Sequence, residues 1–234
     1  MAPGSGRGDP RGAAALTSPD AAEDAKPRIR LPGVRPPKPL LPLEIERRLT
    51  DRQRELLDEL ETLVVGEALA DVTMAQIAAR VNCSLRTLYG ISPSKDELVL
   101  TVTDRRLQRI GRAAIASLDP SLPPLEVLRA YLAAANEAVR NEHGEMVRNF
   151  AELPGAKRLF DTHENYLTGI VQSLLDRAVD QGDITPLDTA AVAHVLAGLG
   201  QEFSRASVHP VIKESPKQAA DDLTEIILRG LKRS

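Results

Sequence analysis

The 234-residue chain carries 30 Lys+Arg against 33 Asp+Glu, a formal net charge of -3, and 42% of its residues are hydrophobic, enough for a core. Its single cysteine, Cys83, excludes an internal disulfide framework. No apolar run approaches the ~20 residues of a membrane-spanning helix, and residues 1–20 lack the apolar stretch of a secretory signal, so a soluble, cytoplasmic protein with no membrane partner is expected.

Residues 1–42 hold nine of the 17 prolines and five glycines, which break any helical or strand period. Leu31, Leu40 and Leu41 are too few apolar groups to offset the entropy of ordering the segment, so a disordered basic extension is expected. It carries seven Lys+Arg against four acids, a charge of +3, mostly in residues 26–38 and interleaved with Pro. That pattern favours an extended, polyproline-like arm that either adds phosphate and minor-groove contacts to DNA or is an inert tail.

From residue 43 the pattern is helical. Leu56, Leu57, Leu60, Leu63 and Val64 share one face of a helix opened by a capping box at Thr50 and Gln53. A second capping box, Thr73 with Gln76, opens a short helix with Ile77, Ala78 and Val81 apolar. Ser84 starts another short helix with Leu85, Leu88 and Tyr89, and Ser94 with Glu97 opens a long one to about residue 116. Further helices are expected over about 125–141, 145–153, 156–181, 187–207 and 217–232. No internal repeat and no period-2 strand is evident. The fold class expected is all-α: an N-terminal three-helix domain at 43–97 and a C-terminal helical domain at 98–234.

The spacing in residues 73–89 is the most informative. A short helix stops at Val81, Asn82 tolerates the left-handed conformation a tight turn needs, Cys83 is small and apolar, and Ser84 caps the next helix. Helix, three-residue turn and capped helix is the helix-turn-helix layout, whose second helix enters the DNA major groove.

With Thr73, Ile77-Ala78, Ser84, Thr87-Leu88-Tyr89, Pro93-Ser94-Lys95 and Leu98 in place, residues 50–100 resemble the DNA-binding domain of the tetracycline-repressor (TetR) family of transcriptional regulators. The stretch 174–184, the Ala/Leu-rich helix after it and the run from Leu223 to Leu231 resemble that family's C-terminal domain more loosely. The chain departs from the pattern at Asn82, where Gly is usual, and at Val64, near which a Phe is usual. It departs again at Gly90, Ile91 and Ser92, where an aromatic or His pair is usual and supplies a phosphate contact.

The resemblance implies a homodimeric DNA-binding regulator, a repressor released from a palindromic double-stranded operator by a small molecule. It implicates Leu85, Arg86 and Thr87 in base reading with Tyr89 nearby, and Thr73, Ser84 and Lys95 in phosphate contacts. Alternatively Arg86 is a solvated surface residue and the hydroxyls only cap. Residues 43–100 carry -4 in total, unfavourable for meeting a polyanion, although five of the eleven acids (Asp51, Glu55, Asp58, Glu59, Glu61) fall on the helix opened at Thr50.

Five of the six aromatics lie in the second domain. Tyr131, Phe150, Phe160 and Tyr166, with Asn136, His163, Gln172 and Glu202, are candidate ligand-pocket residues, each with ordinary core packing as the alternative. Ala190, Ala193 and Ala197, with Leu223, Ile227 and Leu231, are candidate dimer contacts by resemblance, and the alternative is that they close the monomer core. No His-Glu-x-x-His, Cys-x-x-Cys or acid/base constellation is present, so neither an enzyme nor a metal or other cofactor is expected. The runner-up reading is a helical interaction protein with a degenerate or weakly sequence-specific DNA head.

Overall fold

Serine and threonine side chains set where the helices opening at Met74, Leu85 and Lys95 begin. In the computed structural model, Thr73 makes a reciprocal box with Gln76, Ser84 Oγ accepts from the Thr87 N–H at 3.1 Å and Ser94 Oγ accepts from the Glu97 N–H at 3.2 Å. The structure describes residues 29–66, 72–139, 150, 153–203, 205, 207–208 and 210–232. Among these, the helices are α1 (Leu43–Arg48), α2 (Asp51–Gly66), α3 (Met74–Arg80), α4 (Leu85–Ile91), α5 (Lys95–Ala116), α6 (Pro124–Val139), α7 (Ala156–Asp180), α8 (Thr189–Phe203) and α9 (Pro216–Leu231). An isolated bridge between Ile184 and Lys232 is the one extended pairing among the described residues. No helix among them is long and apolar enough to cross a membrane. The helix expected at 145–153 falls largely outside the described residues.

Two hydrophobic cores form. The first gathers Leu56, Leu57, Leu60 and Val64 of α2, Ile77 and Ala78 of α3, Leu88 and Ile91 of α4, and Leu98, Val99 and Val102 of α5. The second gathers α6, α7, α8 and α9 around Leu128, Leu132, Ile170, Leu174, Leu196 and Leu228. Helix α5 serves both, because its later residues Ala114 and Ile115 pack on the second. The residue-97/98 boundary expected between domains therefore falls inside one continuous helix.

Phe150 and Ala156 join the first core although they follow α6 in the chain. The return is held by Gly155, whose φ of +89° suits glycine, and an added Cβ there would sit 3.2 Å from Leu100 Cδ1.

The α2–α5 junction is electrostatic as well as apolar. Glu61 is only 1% exposed and bonds both Arg105 and Arg109, and Asp58 meets Arg105 at 2.8 Å. Burial works to lower the Arg105 pKa, but the Asp58 and Glu61 carboxylates outweigh it and raise it.

The expectation of a disordered segment over residues 1–42 is corrected for residues 29–42. Ile29, Leu31 and Val34 pack on the second core, Leu41 is buried in the first, and the Leu40 N–H donates to Asp104 Oδ2 at 2.8 Å. The prolines that forbid a helix also pre-order an extended strap, so little entropy is lost when a few apolar anchors hold it. Residues 1–28 lie outside the described residues.

Glu61→Ala is expected to lower stability in urea by about 3 kcal/mol, because it leaves the arginines without their buried carboxylate. Glu55→Ala, on the exposed face, is expected to cost less than about 0.5 kcal/mol. Equal unfolding midpoints for the two variants would remove the buried network from this account.

Candidate functional site

The first candidate surface is built by a turn that only a few residue types accept. Asn82 has φ +46°, the sole positive value outside glycine among the described residues. This lets the Cys83 N–H reach back to the Ala78 carbonyl at 2.9 Å and close α3. Cys83 is half-buried, and burial pushes its thiol pKa up, which disfavours the reactive thiolate.

Ser84 then caps α4, with its hydroxyl 2.8 Å from Thr87 Oγ1. The seven residues of α4 divide cleanly. Leu88 and Ile91 are buried, whereas Leu85, Arg86, Tyr89 and Gly90 face solvent. Thr87 is half-buried through its hydroxyl contact.

Thr73 is exposed at the start of α3, and Lys95 is half-buried at the start of α5. Together with Tyr89 they line one shallow depression that also includes Val72, Pro93 and Ser94. The Gly90–Ser92 departure has a structural consequence. Ile91 and Ser92 point inward, 9% and 3% exposed, and Gly90 leaves bare surface with nothing within 4 Å of an added Cβ.

Arg105 and Arg109, which lie outside residues 43–100, offset part of the acidic excess around this surface, and the remaining α2 acids pair with arginines already counted in it. Asp51 pairs with Arg54, Glu55 and Glu59 pair with Arg52, and Asp58 and Glu61 pair with arginines of α5. Each of the five acids singled out on α2 thus has an arginine partner.

The second candidate site is a cavity of about 490 Å³ enclosed by α5, α6, α7, α8 and the strap, within the usual size range of small-molecule sites. Five of the expected pocket residues line it: Tyr131, Asn136, Phe160, His163 and Tyr166. Burial raises the pKa of both tyrosine phenols, so they stay protonated and able to donate. Asn136 Nδ2 donates to Asp221 Oδ1 at 2.8 Å, which ties the α6 wall to α9.

The other three pocket candidates are corrected. Phe150 is a buried member of the first core. Gln172 lines a separate hollow between the strap and α7. Glu202 is exposed and paired with Arg205 at 2.9 Å.

Several lining residues were missed. Gln108, Gly111 and Arg112 lie at helical spacing on α5, a polar notch in an otherwise apolar face that periodicity could have flagged. Arg106 also borders the cavity; burial, and then the neighbouring Arg109, lower its pKa. The strap supplies Pro36, Pro37 and Pro39, for which no local sequence signal exists.

The candidate dimer contacts divide. Ala193, fully buried, and Ala197, 7% exposed, face the second core, and Ala197 also lines the cavity. They are corrected to interior positions. Leu223, Ile227 and Leu231 are partly buried against that core, and Ala190 is exposed. The outward faces of the two helices instead present Ala191, Val195 and Gly198 on α8 and Ile226 and Gly230 on α9.

No model of a known protein family matches the chain, and no curated protein matches it. Solved structures do. A TetR transcription regulator from Haloarcula marismortui is similar with a TM-score of 0.62 at 17% identity, covering 79% of this chain and 100% of its own. The TetR family regulator PfmR from Thermus thermophilus gives 0.55 at 22% identity, covering 76% and 99%. AibR, solved with isovaleryl coenzyme A and operator DNA, gives 0.53 at 19% identity, covering 75% and 97%.

Asn82→Val is expected to destabilise the protein by about 1–3 kcal/mol, since a β-branched residue resists positive φ. Asn82→Gly is expected to stay within about 0.5 kcal/mol of the parent. Thermal unfolding of the two variants checks this, and equal losses would show that turn strain is not what Asn82 relieves.

Proposed function

From the all-helical TetR-family fold that these similarities establish, we propose that the chain is a homodimeric, ligand-responsive DNA-binding regulator, a repressor released from a palindromic operator by a small molecule. The observation that carries this reading is the division of α4. Its buried face fixes the helix to the first core and its capped N-terminal end offers Leu85 and Arg86 outward, where base edges would lie. Arg86 is the base-reading side chain, suited to a bidentate bond with guanine. Thr73, Ser84, Tyr89 and Lys95 surround it as phosphate contacts. The local pairing of α2's acids lowers the repulsion that the head's net charge would otherwise impose.

A dimer follows from geometry, because two reading helices must sit ~34–36 Å apart to meet successive major grooves. The outward stripe of Ala191, Val195 and Gly198 beside Ile226 and Gly230 is its contact surface. Small residues there let two helix pairs approach closely.

The cavity is the effector site. Its apolar lining with two phenols, three amides and the arginines Arg106 and Arg112 against one carboxylate, Glu164, suits an apolar molecule carrying one acidic group. Isovaleryl coenzyme A, with which AibR was solved, shares only the apolar acyl part of that description, because its carrier is a polyanionic nucleotide. Helix α5 lines the cavity and also holds the first core, so a ligand preferring one α5 position shifts the heads by its differential affinity for the two arrangements.

Selection of genomic fragments by the purified protein tests the reading. Recovery of a palindrome is expected. Salt-sensitive binding without sequence preference would instead establish the degenerate head that bare Gly90 favours. On the recovered site, Arg86→Ala is expected to cost about 1–3 kcal/mol and to relax preference at one base pair, measured by fluorescence anisotropy. Ile226→Glu is expected to give a monomer in sedimentation velocity and to weaken operator binding with it, and a dimer of unchanged strength would move the contact surface elsewhere.

A further inference from the structure

The strap crosses the cavity between two anchors. On one side Val34 rests on α7, with both its methyls 3.9 Å from where a Gly169 Cβ would be. On the other, Leu41 is buried in the first core and the Leu40 N–H donates to Asp104 Oδ2 at 2.8 Å. Between the anchors lie Pro36, Pro37 and Pro39, which line the cavity and carry no backbone N–H. A span with so few donors leaves few hydrogen bonds unmade whether it lies down or lifts away.

Asp104 is a junction. It is 2% exposed and accepts three bonds: from Leu40, from Gln108 Nε2 at 3.0 Å and from His163 Nε2 at 2.9 Å. A carboxylate only accepts, so His163 donates through that nitrogen. Gln108 and His163 both line the cavity, so two of the three groups that hold the latch carboxylate also face the cavity's contents.

We propose that residues 29–42 form a movable wall of the effector site, latched by the Leu40–Asp104 bond, and that an apolar anion is held between the strap's prolines and α5 and α7. This rests on the cavity being the effector site. The ligand and the latched strap stabilise each other, because a ligand that touches Pro36, Pro37 and Pro39 binds the closed arrangement in preference to the open one. The arm's role is thereby placed at the ligand, where its residues contact the cavity.

Leu40→Pro tests the latch, because it deletes the N–H while the Leu40 side chain is 48% exposed and dispensable. Leu40→Ala retains the N–H and is the control. Gly169→Phe pushes on Val34 from outside the cavity and is a second strap variant. The probe is 1-anilinonaphthalene-8-sulfonate, an apolar anion read by its fluorescence, and Ala135→Phe, which fills the cavity wall, reports whether the probe binds there.

The expected result is binding that Ala135→Phe abolishes, that Leu40→Pro and Gly169→Phe weaken by about fivefold or more, and that Leu40→Ala changes by less than about twofold. The probe is also expected to slow hydrogen exchange across residues 29–42 in the parent protein. Cavity-dependent binding of equal strength in the parent and both strap variants overturns the strap alone. Absent binding, or binding that Ala135→Phe leaves intact, overturns the effector site and the strap together.

Discussion

Everything in this molecule hangs on α5. Its first turns are buried among α2, α3 and α4 through Leu98, Val99 and Val102, and its last turns reach the four-helix unit through Ala114 and Ile115. The seven-residue helices α3 and α4 are too short to persist alone and exist because this neighbour supplies an apolar surface. Between the two apolar ends comes a polar middle. Arg105 and Arg109 grip the buried Glu61 of α2, while Asp104 on another face of the helix binds the strap and α7. A group buried this way costs solvation that only well-placed partners offset, so the middle of α5 also fixes how its neighbours are oriented.

The same arrangement joins the two proposed activities. Gln108, Gly111 and Arg112 on α5 border the cavity, six to ten residues beyond Val102, the last α5 residue buried in the first core. Motion of α5 against α6 and α7 alters the cavity and the head together. No separate relay is needed, since one rigid helix is a member of both cores.

Much of the architecture is legible locally. The box at Thr73 and Gln76, and the caps at Ser84 and Ser94, mark helix starts to the residue, because a side-chain oxygen three positions before an orphan N–H is a short-range relationship. Asn82 is legible for a similar reason: the left-handed turn is a property of one residue. The faces of α4 do not follow from its period alone: Leu85, Leu88 and Tyr89 stand at i, i+3 and i+4, yet only Leu88 of the three is buried. The strap escapes such a reading because counting apolar residues ignores partners. Ile29, Leu31, Val34 and Leu41 are few, but each meets an existing core, and proline has already removed much of the entropy to be lost. Phe150 belongs with the cavity residues by its place in the chain, whereas the turn at Gly155 returns it to the first core.

The sequence by itself therefore determined helices α2 to α9, the caps at Thr73, Ser84 and Ser94, the turn geometry at Asn82 and the outward position of Arg86, whereas α1 follows Pro42 without a side-chain cap to announce it. Tertiary structure decided which residues share a cavity and which face of α8 and α9 is left outside. Ala193 and Ala197 are as small as Ala190 and Ala191, and only packing on α7 and α9 made the first pair interior. Pro37 and His163 lie far apart in the chain yet line one cavity with Tyr131. The near-neutral charge resolves in the same way: the acids of α2 are read from the chain as a repulsive patch, and the folded chain gives each an arginine, two of them from α5. Local hydrogen bonding and periodicity act over a few residues and are written in order along the chain. Cavities and ion pairs join residues that are distant in that order, and they exist only once the cores have closed.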